Sequence, residues 1–237
     1  MRSGNATAAP STLAQPSLPP IVSAQEWQAQ LGELAHREKA ATAAHQALSA
    51  ARRRMPMTPV EKDYRFLGPK GEMSLPDLFA SRNQLILYRF FYEPGVADWP
   101  TGACRGCSIF ADSVTHPAHL AARDTSLAFV SPAPQDLIIA YRARMGWNIP
   151  WYTLIGDDFS RDFGVQEWAG INVFLRQGGK AYRAYFINGP ELQSIGSVWS
   201  LLELTPFGLQ ETGEESPPGW PQGEPRSWYR LHDEYHQ

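Results

Sequence analysis

Cys104 and Cys107 are the only two cysteines in 237 residues, and they stand as Cys104-Arg105-Gly106-Cys107. Two thiols one helical turn apart can close a small disulfide. A thiolate at a helix N-terminus is favoured by the helix dipole and by backbone N–H groups that have no partner within the helix. The pair follows an apolar, strand-like run and precedes a helix-like one, which is where a dithiol enzyme wants its nucleophile. On this reading Cys104, the more exposed, attacks a substrate disulfide, and Cys107, a turn deeper, resolves the mixed disulfide. Arg105 either favours the thiolate or is an ordinary solvated charge. Trp99 and Pro100 either shape an apolar docking surface or simply pack.

Two alternatives use the same residues. Cys104 can reduce a peroxide through a sulfenic acid. In a non-enzymatic binding module the cysteines either pack as small hydrophobes or hold zinc together with His116 and His119. The zinc spacing, CxxC then eight residues then HxxH, has a shorter spacer than a zinc finger, and Pro117 disturbs a common helical face. The expectation is therefore a dithiol site with neither metal nor organic cofactor. Asp157, Asp158, Asp162 and Glu167 crowd one loop, but they lack the glycine and terminal bidentate Glu of an EF-hand and read as caps and turns. No dinucleotide or nucleotide loop, nucleophile elbow or metalloprotease motif occurs.

The elements that must position the dithiol follow from periodicity and punctuation. Ser23 and Glu26 have the spacing of a capping box, opening a long helix through Trp27, Leu31 and Leu34 to about Arg54, where Pro56 and Pro59 stop it. Its narrow apolar stripe needs cover from a domain or a partner subunit, so a homodimer through this helix is one possibility and packing on the same chain is the other. Short strands follow: Tyr64 to Leu67, then, past a turn and a short helix around Leu75 to Phe79, a near-continuous apolar run from Gln84 to Tyr92, interrupted by Arg89 and suited to a strand buried on both faces. After Cys107 a helix broken near Pro117 runs to about Arg123, and Ser126 to Ser131 is a second buried strand. A helix from Ala133 to Met145, a strand at 152–155 and a hairpin of Ile171 to Arg176 and Ala181 to Phe186 come next, and a last helix spans about Ile195 to Leu204. Trp228 to Tyr235 reads as a short docked helix.

The expected organisation is a tail over 1–20, a helical extension over 21–59, an α/β domain over 60–207, and a Pro/Gly-rich tail over 208–237 with a docked aromatic end. A composition of 43% hydrophobic and 12% aromatic residues supports a real core, and a net charge of −3 leaves no electrostatic footprint for nucleic acid or an anionic membrane. The local cluster Arg52-Arg53-Arg54 ends a helix, where cations are favourable. No apolar run approaches the roughly 18 residues of a membrane span, and the first residues lack the continuous apolar stretch of a secretory signal. Sparse cysteine use points to the cytoplasm.

The chain resembles the thioredoxin-like domain-of-unknown-function family numbered eight hundred and ninety-nine, a family of predicted dithiol-disulfide oxidoreductases, over about residues 22–235. The likeness rests on Glu61 to Tyr64, Leu75 to Phe79, Cys104 to Ser108 with Ala111-Asp112, and His119-Leu120 with Ala122 to Asp124. It continues through Met145 to Trp147 with Pro150-Trp151, Phe174 to Arg176, Leu204 to Pro206, and His232 to Tyr235. The resemblance implies a thioredoxin-like, peroxiredoxin-related mixed sheet flanked by helices, to which the long N-terminal helix is added, with Cys104 and Cys107 in the dithiol position. It implies a protein or small-molecule disulfide as partner and supplies no particular substrate. One departure stands out. Thioredoxins carry a cis-proline at the start of the strand facing the dithiol, where this chain has Gly170-Ile171-Asn172, and a trans backbone is expected there.

Overall fold

A computed structural model describes residues 18–114 and 116–235, so most of the expected N-terminal tail lies outside the described residues. The first helix, α1 (Ala24–Arg53), begins as its capping box dictates: the Ser23 hydroxyl accepts from the Glu26 N–H at 3.2 Å, and the Ser23 N–H donates to the Glu26 carboxylate at 3.0 Å. No residue of α1 is buried, and Trp27, Leu31 and Leu34 stand exposed. The chain's own domain thus does not cover the stripe. The helix is tethered near its end, where Arg52 Nε donates to the Tyr185 hydroxyl at 3.0 Å.

Among the described residues, eight strands form one sheet: β1 (Thr58–Pro59), β2 (Arg65–Gly68), β3 (Gly71–Ser74), β4 (Gln84–Arg89), β5 (Thr125–Ser131), β6 (Trp151–Leu154), β7 (Gly170–Gln177) and β8 (Lys180–Asn188), in the order β1-β8-β7-β4-β5-β6-β2-β3. Strand β4 lies in the middle, parallel to β5 and antiparallel to β7, and β7 continues antiparallel into β8. Between β4 and β5 run α2 (Arg105–Asp112) and α3 (Pro117–Ala121), with Pro117 as the first residue of α3. After β5 come α4 (Gln135–Arg144), then α5 (Asp158–Asp162) following β6, and α6 (Ser197–Leu202) after β8. A parallel β-α-β unit, an antiparallel hairpin on its other side and a closing helix make this a thioredoxin-like sheet, with α1 added in front.

Alternation along β4 explains why a strand this apolar is central. Leu85 and Leu87 enter one core with Phe66, Phe79, Phe159 and Phe174, whereas Tyr88 and Phe90 enter the other with Cys107, Phe110, Tyr141 and Trp151. The sheet therefore has two buried faces, and the thiols belong to the second. Three expectations are corrected. The segment Asp158–Asp162 is not a loop: it forms α5, with Asp157 at its N-cap, and Phe159 and the C-cap residue Phe163, four residues apart, are both buried. The last helix is shorter than expected, since Gly189–Ile195 is a 3-10 turn and only Ser197–Leu202 is α-helical. Residues 228–235 form turns and no helix, although Tyr229 and Leu231 are buried there. Among the described residues, no helix is long and apolar enough to cross a membrane.

Candidate active site

The segment between β4 and α2 is folded back so that Cys104 sits directly beyond the end of the central strand. The Cys104 N–H donates to the Phe91 carbonyl at 3.0 Å, and within the loop the Tyr92 hydroxyl donates to the Pro100 carbonyl at 2.6 Å. Gly102 closes the loop tightly: its N–H donates to the Asp98 carbonyl at 2.7 Å, and a Cβ at this position would stand 2.7 Å from that of Asp98, so any other residue would force the loop to shift. Beneath the loop, Arg89 is buried and satisfied by the Glu93 carboxylate at 2.8 Å, the Phe90 carbonyl at 2.8 Å and the Ser160 hydroxyl at 3.2 Å.

Cys104 is the N-cap residue of α2, and its sulfur accepts from the Cys107 N–H at 3.3 Å. Both cysteines are free thiols; Cys104 is half-buried and Cys107 fully buried. The Cys104 thiol is brought down to about 7, first by the Cys107 thiol donating to it; the N–H groups of Cys107 and Gly106 and the charge of Arg226 act in the same direction, against the cost of burial. Burial pushes Cys107 the other way, well above the ordinary thiol range, and the adjacent Cys104 adds to the rise while the Tyr88 hydroxyl partly offsets it. The two thiols are thus split into one that ionises near neutrality and one that keeps its proton. The helix itself is locked by Ser108, whose hydroxyl donates to the Cys104 carbonyl at 3.0 Å and lies 3.0 Å from the Tyr141 hydroxyl.

The C-terminal segment straps across this helix. Asp112, on α2, accepts from Trp147 Nε1 at 2.8 Å and lies 2.8 Å from His232 Nδ1. Arg144 holds the Asp233 carboxylate through two bonds of 2.7 and 2.9 Å. Tyr229 is buried, and its hydroxyl accepts from Trp199 Nε1 at 2.9 Å and Gln193 Nε2 at 3.0 Å. Under this strap, Cys104 and Cys107 line a cavity of about 350 Å³ together with Tyr88, Phe110, Trp168 and Trp199. Sequence reasoning missed Tyr88, Arg226 and Trp199; the aromatic character of the 228–235 segment was the one available signal for the strap.

Other nominated residues fall elsewhere. Arg105 is engaged by acids: its guanidinium donates to Asp98 at 2.8 Å and lies 3.8 Å from Glu234. Trp99 packs edge-on against Tyr92 at 5.2 Å between ring centroids. His116 caps α3, its Nδ1 accepting from the Ala118 N–H at 3.2 Å, and its ring lies 6.3 Å from that of His119. Among the described residues no three His, Cys, Asp or Glu side chains gather as metal ligands, so the Cys/His quartet is not brought together. Asp158 and Asp162 pair with Lys62 and Arg161, and the Tyr64 hydroxyl donates to Asp162 at 2.8 Å, on the opposite sheet face from the cysteines. Glu167, grouped with these acids by sequence, instead lines the dithiol cavity. At Gly170 and Ile171 the backbone is trans; among the described residues the one cis peptide is Trp99–Pro100.

Fold and site define a thioredoxin-like protein with a CxxC pair at the end of its central strand. The chain belongs to the family described as bacterial protein of unknown function (DUF899), whose model matches residues 16–235. No curated protein matches the chain significantly. Solved structures similar to it include a thiol:disulfide interchange protein from Bacteroides sp., 13% identical, with a TM-score of 0.39 over 54% of this chain and 81% of that one. An exposed lipoprotein thioredoxin of Streptococcus pneumoniae is 14% identical, with a TM-score of 0.40 over 56% of this chain and 98% of that one. The bacterioferritin comigratory protein of Xanthomonas campestris, described with alkyl peroxide reduction activity, is 12% identical, with a TM-score of 0.36 over 52% and 79%. At this level of likeness the chemistry has to be argued from the site.

Proposed function

We propose that the protein is a thiol-disulfide oxidoreductase in which Cys104 is the nucleophile and Cys107 the resolving thiol. The observation that carries this reading is the division of labour between the two sulfurs: a half-buried Cys104 at a helix N-cap with its thiol drawn to about 7, and a buried Cys107 held protonated one turn on. An ordinary buried pair would have both thiols raised by desolvation, and neither would be competent at neutral pH. The chemistry needs no organic cofactor. The Cys104 thiolate attacks one sulfur of a disulfide and expels the other as a thiolate; Cys107 then gives up its proton, attacks Cys104 and releases the second half. The chain leaves with a Cys104–Cys107 disulfide, two electrons having passed to the substrate, and an external dithiol resets it. The same reading places the protein in the cytoplasm, the compartment expected from its sparse cysteines.

Trapping tests the assignment of roles. A Cys107→Ser variant, unable to resolve, is expected to accumulate a stable mixed disulfide at Cys104 visible by mass, while Cys104→Ser accumulates none. Adduct on Cys107 in preference to Cys104 reverses the roles, and absence of adduct on either contradicts the reading. Rapid peroxide consumption without disulfide exchange would transfer the same thiolate to peroxidase chemistry.

A further inference from the structure

The space around the dithiol has two compartments of different character. The inner cavity, about 350 Å³, is walled by the rings of Tyr88, Phe110, Trp168, Trp199 and Tyr229 and by Leu192. Its volume lies in the range of small-molecule sites. Cys104, Arg226 and the single acid Glu167 line this cavity and also an outer one of about 520 Å³, where Arg105 and Arg230 join them. Of these three cations, Arg105 is paired with Asp98, and Arg230 is bonded to the carbonyls of Ser227 and Tyr229. Arg226 bonds through its backbone N–H to Glu211 at 2.8 Å, and among the described residues its guanidinium has neither an ion pair nor a hydrogen bond. Among the described residues a cation is therefore left unanswered beside Cys104, and both line the two compartments.

We infer that the substrate is a small disulfide with an aromatic or branched apolar body and an anionic group such as a carboxylate. Its body occupies the inner cavity, its anion lies at Arg226, and its disulfide is presented to Cys104 between them. The inference rests on the redox reading of the dithiol and adds the substrate class. The physical reason is the strap. Tyr229 lies over Gly106 in the middle of the CxxC, fixed by Trp199 and Gln193, so the rings occupy the face along which an extended polypeptide would have to lie. An apolar body gains by leaving water for the aromatic walls, and an anion gains by meeting a charge that has no ion-pair partner among the described residues. In the reaction, a Cys104–substrate sulfur bond forms as the substrate S–S bond breaks. The departing thiolate takes a proton from solvent, and attack by Cys107 on Cys104 then frees the second thiol and leaves the protein disulfide.

The test uses the pre-reduced full chain in single turnover with dithiodibenzoate, the uncharged dithiodibenzamide, hydroxyethyl disulfide and insulin. Each rate is divided by that of free dithiothreitol with the same disulfide, to remove intrinsic reactivity. Dithiodibenzoate is expected to lead the other three by about tenfold or more, and Arg226→Ala to reduce the benzoate-to-benzamide ratio by about tenfold. Taking the ratio cancels any change in Cys104 itself. Equal normalised rates, an advantage for insulin, or an unchanged ratio in Arg226→Ala would overturn the substrate class while leaving the dithiol chemistry intact. Failure of Cys104 to react with any of the four disulfides would instead remove the redox reading.

Discussion

The ring of Tyr229 lies so close over Gly106 that a Cβ on Gly106 would stand 3.3 Å from Tyr229 Cε2 and 3.5 Å from Cδ2. The residue between the two cysteines is therefore constrained by a side chain from the far end of the sequence, and the strap and the dithiol are one structural unit. Tyr229→Phe keeps the ring but leaves Trp199 Nε1 and Gln193 Nε2 without their shared acceptor. A loss of about 1–2 kcal/mol in urea unfolding is expected, because a buried donor stripped of its partner costs about that much. Tyr229→Ala also empties the ring's place and is expected to cost about 3 kcal/mol, with faster alkylation of Cys104 as the cover is lost.

The pH dependence of Cys104 carries a definite sign. Its thiol is lowered to about 7 from an ordinary value of 9.0, so alkylation by iodoacetamide is expected to rise through a midpoint near 7. Since the folded state favours the thiolate, the resulting stability is present above the unfolded value near 9 and is lost as pH falls through about 7. The reduced protein therefore gains stability relative to Cys104→Ser between these limits. Above them Cys107, held protonated in the fold, acts in the opposite direction. Cys107→Ala removes the largest cause of the lowering and is expected to move the alkylation midpoint upward. An unmoved midpoint would assign the effect to the helix N-terminus alone.

Asn172 is fully buried on β7 opposite Leu87, and neither polar atom of its side chain has a hydrogen-bond partner among the described residues. Leu87 belongs to the core on the far side of the sheet from the thiols. Replacement by Leu removes an unsatisfied amide at similar volume and is expected to raise stability by about 1 kcal/mol, with Cys104 alkylation unchanged. Chemical denaturation of both variants checks the first part, and a destabilised Asn172→Leu would mean that the amide is satisfied by an ordered water.

Arg89 lies on that same face, with its side chain 3% exposed, and pairs with Glu93, 24% exposed, at the root of the Cys104 loop. Arg89→Met strands the Glu93 carboxylate and frees the Phe90 carbonyl, and a loss of about 3 kcal/mol is expected. A loss below about 0.5 kcal/mol, the size of an ordinary surface change, would show that the pair does not organise the loop.

Much of this arrangement was legible in the sequence because local chemistry decided it. Ser23 with Glu26 marked the start of α1, the near-continuous apolar run from Leu85 marked a strand buried on both faces, and Gln177 to Lys180 marked a hairpin turn. The position of Cys104 at a strand-to-helix junction followed from the same signals. What was hidden depended on contacts between distant segments. Arg105 sits next to Cys104 in the chain, yet its charge is answered by Asp98 and Glu234, while Arg226 supplies the charge that favours the thiolate from another region. The acids of α5 read as a loop because their helix is short and its evidence lay in two phenylalanines, Phe159 and Phe163, whose burial only the sheet makes apparent. The segments around Asp112, Trp147 and His232 each carry part of the family resemblance, and they meet at one carboxylate.

The central claim is that Cys104 and Cys107 form a redox-active pair, and thiol trapping across a glutathione redox series tests it most directly. The full chain, equilibrated at successive ratios of reduced to oxidised glutathione and then quenched with a mass-shifting thiol reagent, is expected to pass reversibly between two trapped thiols and none. That transition should follow a two-electron curve and be absent in Cys104→Ser. Two thiols that remain trapped in the native chain at every ratio, or a transition that persists in Cys104→Ser, would contradict the account.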